Sequence, residues 1–147
     1  MLSDSLERDG LAHAVVEVES LARAFPYPAF EQALASLPHV VELHRGAGHG
    51  LLLAAATPEN QSELDALLEA LHCSQTIVIR LDVPPEIGVA RITAREPEDW
   101  TGLAQLRATA RGLGAELETL VGVDRVIQTH RSTPAEVVAR VREVAGI

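Results

Sequence analysis

Four short apolar runs, each leading into a stretch of helical length, constrain this chain more than any other feature. The runs are HAVVEVES (13–20), LLLAAA (51–56), TIVIRL (76–81) and DRVIQ (124–128). Aliphatic and β-branched runs of this length suit buried strands. Between them, Pro58 opens a stretch to Leu71 with helical apolar spacing, and Pro84 and Pro85 stand at the mouth of a helix expected from Glu86 to about Thr93. Pro97 ends that helix, and a longer one is expected from about Gly102 to Leu120, with Gly112 and Gly114 weakening its middle. Ser132 or Thr133 can cap a last helix that has Pro134 at its first position and Glu136 to complete a capping box. Phe25–Leu37 reads as a loop and short helix, His39–Leu43 suits either a strand or a helix, and RGAGHG (45–50) reads as a flexible connection. Strands alternating with helices imply right-handed crossovers, so the expected fold class is α/β with a parallel sheet covered on both faces.

A chain of 147 residues that is 47% apolar suits one packed domain, 1–147. Cys73 is the only cysteine, which excludes an internal disulfide and a cysteine-based zinc site. The six histidines, at 13, 39, 44, 49, 72 and 130, lack a paired ligand spacing, so no metal is assigned to them. A formal net charge of −9 disfavours nucleic acid as a partner, because a polyanion needs a contiguous cationic footprint. No apolar run approaches the ~20 residues that cross a bilayer, and MLSDSLERDG lacks the layout of a signal peptide, so a cytoplasmic protein without a membrane partner is expected. All 12 basic residues are arginine.

The order of four pieces carries a resemblance: VVEVES, LLLAAATPEN, RLDVPPEIGVARITAREP and DRVIQTHRSTPAEVVARV. Read together they resemble the P-loop kinases of small molecules, the group that includes chloramphenicol phosphotransferase, adenylylsulfate kinase and related bacterial ATP-binding proteins, over nearly the full length. The resemblance implies a three-layer parallel sheet of P-loop NTPase type whose first, central strand is missing, its place lying between Leu51–Ala56 and Thr76–Leu81. That family opens with a strand and a loop G-x-x-x-x-G-K-[ST], whose backbone N–H groups surround the phosphates and whose lysine bridges the terminal ones. The loop is not found among these 147 residues. RGAGHG is followed by LLL and precedes a strand, whereas the motif must precede a helix, and with no lysine anywhere the Walker lysine has no candidate. The expectation is an N-terminally incomplete kinase-like domain. Three ways of closing the gap stay open: direct pairing of the flanking strands, a strand from another chain, or a natural start upstream of Met1.

Residue by residue, the resemblance implies that Arg91 and Arg95, four apart on one helix, belong to a lid that closes over phosphates. It implies that Glu17 or Glu19, near the end of the first strand, assists magnesium or the accepting hydroxyl, and that Arg131 and Thr133 lie on the loop beside the adenine. Each has an ordinary alternative: solvated acids at a strand end, arginines paired with Glu86 or Glu96, and Thr133 as a helix cap. Phe25, Tyr27 and Phe30 suit an acceptor pocket or small core anchors. Trp100 suits packing in the lid, and Cys73 suits a small buried thiol. ATP and magnesium are implied as cofactors only where the phosphate loop is supplied, and neither is expected for this chain alone. The implied partners are a nucleotide and a small hydroxylated acceptor, with a homodimer as a further option. Two functional readings follow: an ATP-dependent phosphotransferase that is inactive in this form, or a kinase-derived module that binds without catalysing. A hydrolase of the G-x-S-x-G type is disfavoured because that elbow is absent.

Overall fold

The computed structural model describes residues 1–21 and 30–147. It is a mixed α/β structure in two compact units, residues 1–76 and 77–147, each containing one two-stranded parallel sheet. Phe25 and Tyr27, considered above for an acceptor pocket, lie outside the described residues.

The first unit contains α1 (Leu2–Arg8), β1 (His13–Glu17), a 3-10 turn (Val18–Ser20), α2 (Phe30–Leu34), α3 (Leu37–Gly46), β2 (Leu51–Ala55) and α4 (Gln61–Leu71). β1 and β2 run parallel with His13 opposite Leu51 and Glu17 opposite Ala55. Alternate residues of a strand face opposite ways, and it is Ala14 and Val16 that turn inward and are buried. Val16 and Val18 pack with Ala33, Leu34, Leu37, Val41, Leu67 and Leu71, so that α2, α3 and α4 cover one face of the sheet. The ambiguous run at His39–Leu43 is helical. Leu37 and Val41, four apart, fall on one face and are both buried. α4 starts where the Asn60 side chain accepts a 3.0 Å bond from the Glu63 N–H, and Leu64, Leu67 and Leu71 supply its buried stripe. Arg45, in the last turn of α3, donates to the His72 carbonyl at 2.8 Å and pairs with Glu42 at 2.7 Å, which ties the ends of α3 and α4 together. RGAGHG is partly helix: α3 runs through Gly46, and Gly48 then takes φ +88° to turn the chain toward β2.

The second unit contains β3 (Ile79–Asp82), α5 (Pro85–Arg95), α6 (Leu103–Glu118), β4 (Arg125–Gln128) and α7 (Pro134–Ala145). β3 and β4 run parallel, Ile79 opposite Arg125 and Asp82 opposite Gln128. The ladder begins later than the TIVIRL run suggests. Val78 is engaged just before it, donating its N–H to the Asp124 carboxylate at 2.7 Å while its carbonyl accepts from Asp124 N–H at 2.9 Å. α5 and α6 pack as a pair, with Arg107 Nε donating to Thr93 Oγ1 at 2.9 Å. Gly112 and Gly114 do not interrupt α6, and Gly114 admits Pro85, whose Cγ would lie 3.5 Å from a methyl placed there.

Two expectations need correction. The strands are not covered on both faces: Val15 is 47% exposed, Leu81 56% and Val126 46%. β2, expected as a buried strand, is only half-buried, and its last two alanines are exposed. The physical reason is the size of the sheets. In a two-stranded sheet each strand has a single paired edge, and the apolar run is shielded only where helices reach it. Among the described residues no helix is long and apolar enough to cross a membrane.

Candidate functional site

In open parallel α/β sheets, ligand-binding groups collect beyond the carboxyl ends of the strands. At that end of the second unit, Thr129 N–H donates to the Asp82 carbonyl at 2.8 Å and Thr129 Oγ1 donates to the same oxygen at 3.0 Å. Gln128 Nε2 adds a 2.6 Å bond to the Asp82 carboxylate. Three bonds thus fasten the ends of β3 and β4 to each other. Arg91, on α5, reaches this junction: Nη1 donates to Thr129 Oγ1 and Nη2 to the Thr129 carbonyl, both at 3.4 Å. Bonds of that length are weak, and both acceptors are neutral. Among the described residues no carboxylate forms an ion pair with Arg91. Its charge is therefore placed at a strand-end junction without being neutralised there.

Arg95 goes elsewhere. Its Nε pairs with Glu96 at 2.6 Å, and its side chain is 71% exposed. The i, i+4 spacing places both arginines on α5, yet the structure gives them different partners, and only Arg91 meets the strand ends. Arg131 is exposed on the loop after β4. Thr133 caps α7: its hydroxyl accepts from Glu136 N–H at 3.3 Å and donates to the Glu136 carboxylate at 2.9 Å, and the Thr133 N–H donates to that carboxylate at 2.7 Å. The Thr133 backbone N–H, followed by its hydroxyl, holds the Glu136 carboxyl below its ordinary value. Asp82 and Thr129 are site residues that sequence reasoning overlooked. His130 Nδ1 is buried without a hydrogen-bond partner among the described residues. The available signal was position: Asp82 ends the RLD run, and Thr129 directly follows DRVIQ.

The first unit places its two acids apart. Glu17 ends β1 and accepts from Ser20 Oγ at 3.3 Å. Glu19 lies in the 3-10 turn, beyond the strand, and accepts from the Thr57 N–H at 2.5 Å, linking that turn to the segment after β2. Glu19 is thereby engaged in the backbone framework, while Glu17 is the more available carboxylate. Phe30 packs against the core cluster. Cys73 is half-buried, donates to the Leu71 carbonyl at 3.3 Å and lies 3.5 Å from an Arg45 nitrogen. Trp100 lies against Gly102: a methyl on Gly102 would come within 2.9 Å of three indole atoms. Among the described residues no group of three or more His, Cys, Asp or Glu is placed to hold a metal ion.

No family model matches this chain, and no curated protein matches it.

Proposed function

We propose that this is a P-loop kinase-like protein that recognises phosphate groups at the strand ends of its second unit, and that these 147 residues do not by themselves transfer phosphate. The observation that carries the reading is Arg91, held at the β3–β4 carboxyl ends by neutral acceptors and lacking an ion pair there. A guanidinium in that state has its charge available for phosphate oxygens, which it binds through charge-assisted, often bidentate bonds. The pairing pattern also supports a kinase-like order. Within each unit the two strands are parallel, β1 with β2 and β3 with β4, as the strands of such kinases are. In this reading Arg91 contacts the phosphates, Arg131 on the neighbouring loop adds positive field, and Thr133 holds the start of α7 in place. An intact site would act on a small hydroxylated acceptor with ATP and magnesium. Phosphoryl transfer rests on positioning and charge neutralisation, and a chain without lysine has no side chain to do the work of the Walker lysine. The purified chain, incubated with magnesium and ATP labelled at the γ-phosphate, is expected to release no label above the protein-free blank. Enzyme-dependent turnover that persists through purification would overturn the inactivity.

A second reading, a non-catalytic module that binds another chain or a second copy, is favoured by the exposure of Val15, Leu81 and Val126 on the strands. Light scattering separates the two. A stable dimer supports the module, and a monomer at high concentration argues against self-association.

A further inference from the structure

We propose that Ser3 and His13 form a nucleophile–base pair able to take up acyl groups from small activated carboxylic esters, a chemistry independent of phosphate recognition. Ser3 Oγ lies 2.7 Å from His13 Nε2, and His13 Nδ1 lies 2.8 Å from the Leu11 carbonyl oxygen. A carbonyl oxygen only accepts, so the single proton of the neutral imidazole sits on Nδ1. The Nε2 lone pair then faces the serine hydroxyl, which donates to it. This is the arrangement in which a weak nucleophile is activated: hydroxyl and base within hydrogen-bond reach, with the base oriented by a third group.

All three members are pinned by the fold. Ser3 is carried on α1, which is anchored by the fully buried Leu6. The Leu11 N–H donates to the Leu6 carbonyl at 3.0 Å, after Gly10 has turned the chain at φ +69°. His13 is the first residue of β1, in register with Leu51. Glu7 Oε1, at 3.4 Å, is a second acceptor for the Ser3 hydroxyl, but the shorter bond to His13 takes its single proton. Ser3 and His13 are both half-buried.

In the acylation step a bond forms between Ser3 Oγ and the ester carbonyl carbon as the hydroxyl proton passes to His13 Nε2. The bond from that carbon to the alcohol or phenol oxygen then breaks, and the departing oxygen takes the proton from Nε2. A water molecule attacks the acyl-serine next, giving a proton to Nε2 that returns to Ser3 Oγ as the carboxylic acid leaves. Ester and water become acid and alcohol, with no oxidant, metal or cofactor consumed. No oxyanion-binding donors enter this scheme, so the substrates it fits are esters with good leaving groups, such as phenyl acetates.

The test is labelling with a fluorophosphonate probe, in which Ser3 Oγ bonds to phosphorus and fluoride leaves, together with release of p-nitrophenol from p-nitrophenyl acetate. Wild type and S74A are expected to react alike. H13Q should react slower by about a hundredfold, the scale of base assistance, and S3A, which lacks the attacking oxygen, should take up no label at that position. H13Q is the discriminating variant, because its amide can still hydrogen-bond to Ser3 but supplies no base. Peptide mass spectrometry of the labelled wild type should place the adduct on Ser3, which keeps the proposal testable if S3A fails to fold. An adduct at another residue, absence of labelling, or wild-type rates in folded H13Q would overturn it.

Discussion

At His72 the backbone takes φ 47° and ψ 39°, the left-handed conformation in which a Cβ crowds the following carbonyl. The position closes α4, where glycine is the usual occupant. His72→Gly is expected to raise stability by about 1 kcal/mol, read as a higher midpoint in denaturant with an unchanged slope. A loss would show that the bond from the His72 ring to the Glu69 carbonyl matters more than the backbone strain. Thr133 presents the opposite case, a residue already suited to its place. Thr133→Ala is expected to cost about 1 kcal/mol. Because Glu136 has its carboxyl lowered by Thr133, its contribution is present above the ordinary glutamate value and is lost as pH falls through the lowered one. The stability difference between wild type and E136Q should therefore be largest near neutral pH and should vanish in acid; a difference that grows toward low pH would contradict this assignment.

Among the elements, α7 shows how far local signals reach. Thr133, Pro134 and Glu136 are adjacent in sequence, their bonds are all made within one turn, and the predicted capping box is present. The α5 start at Pro85 and the α4 stripe of Leu64, Leu67 and Leu71 are legible for the same reason. α3 was ambiguous because its deciding contacts are distant: Arg45 meets His72, 27 residues away in the chain. R45A is accordingly expected to lower the melting temperature, and R45K to restore only part of the loss, since lysine cannot donate to Glu42 and the His72 carbonyl with the same fork. The exposure of β2 was illegible for another reason. An apolar run records that a strand can be buried, while its burial depends on how many neighbours the sheet supplies. The site divides along the same line. Thr133 as a cap follows from spacing, whereas the meeting of Arg91 with Thr129, and the separate pairing of Arg95 with Glu96, depend on where α5 lies against β4.

Over the whole molecule, burial is uneven. Among the described residues, the buried apolar side chains of the second unit are Leu103 and Ile127, whereas the first unit has an extended cluster around Val16, Val18, Leu37 and Leu67. Local stability follows buried apolar contact. Hydrogen exchange should therefore be slower in β1 and α4 than in β3 and α6, and the reverse order would show that exposure in the second unit misrepresents its stability. L37A should cost about 2–5 kcal/mol, as for other fully buried leucines. A phosphate-recognising role for the less protected unit is consistent with that order, since regions that close on ligands are drawn from the less stable parts of a fold. The most direct test of that role is calorimetric titration of inorganic pyrophosphate into wild type, R91A and R95A at low salt. Wild type should bind weakly and salt-sensitively, R91A with an affinity about tenfold lower, the loss of roughly 1.5 kcal/mol from a charge-assisted bond, and R95A close to wild type. Equal binding by wild type and R91A would contradict the assignment of phosphate recognition to the β3–β4 strand ends.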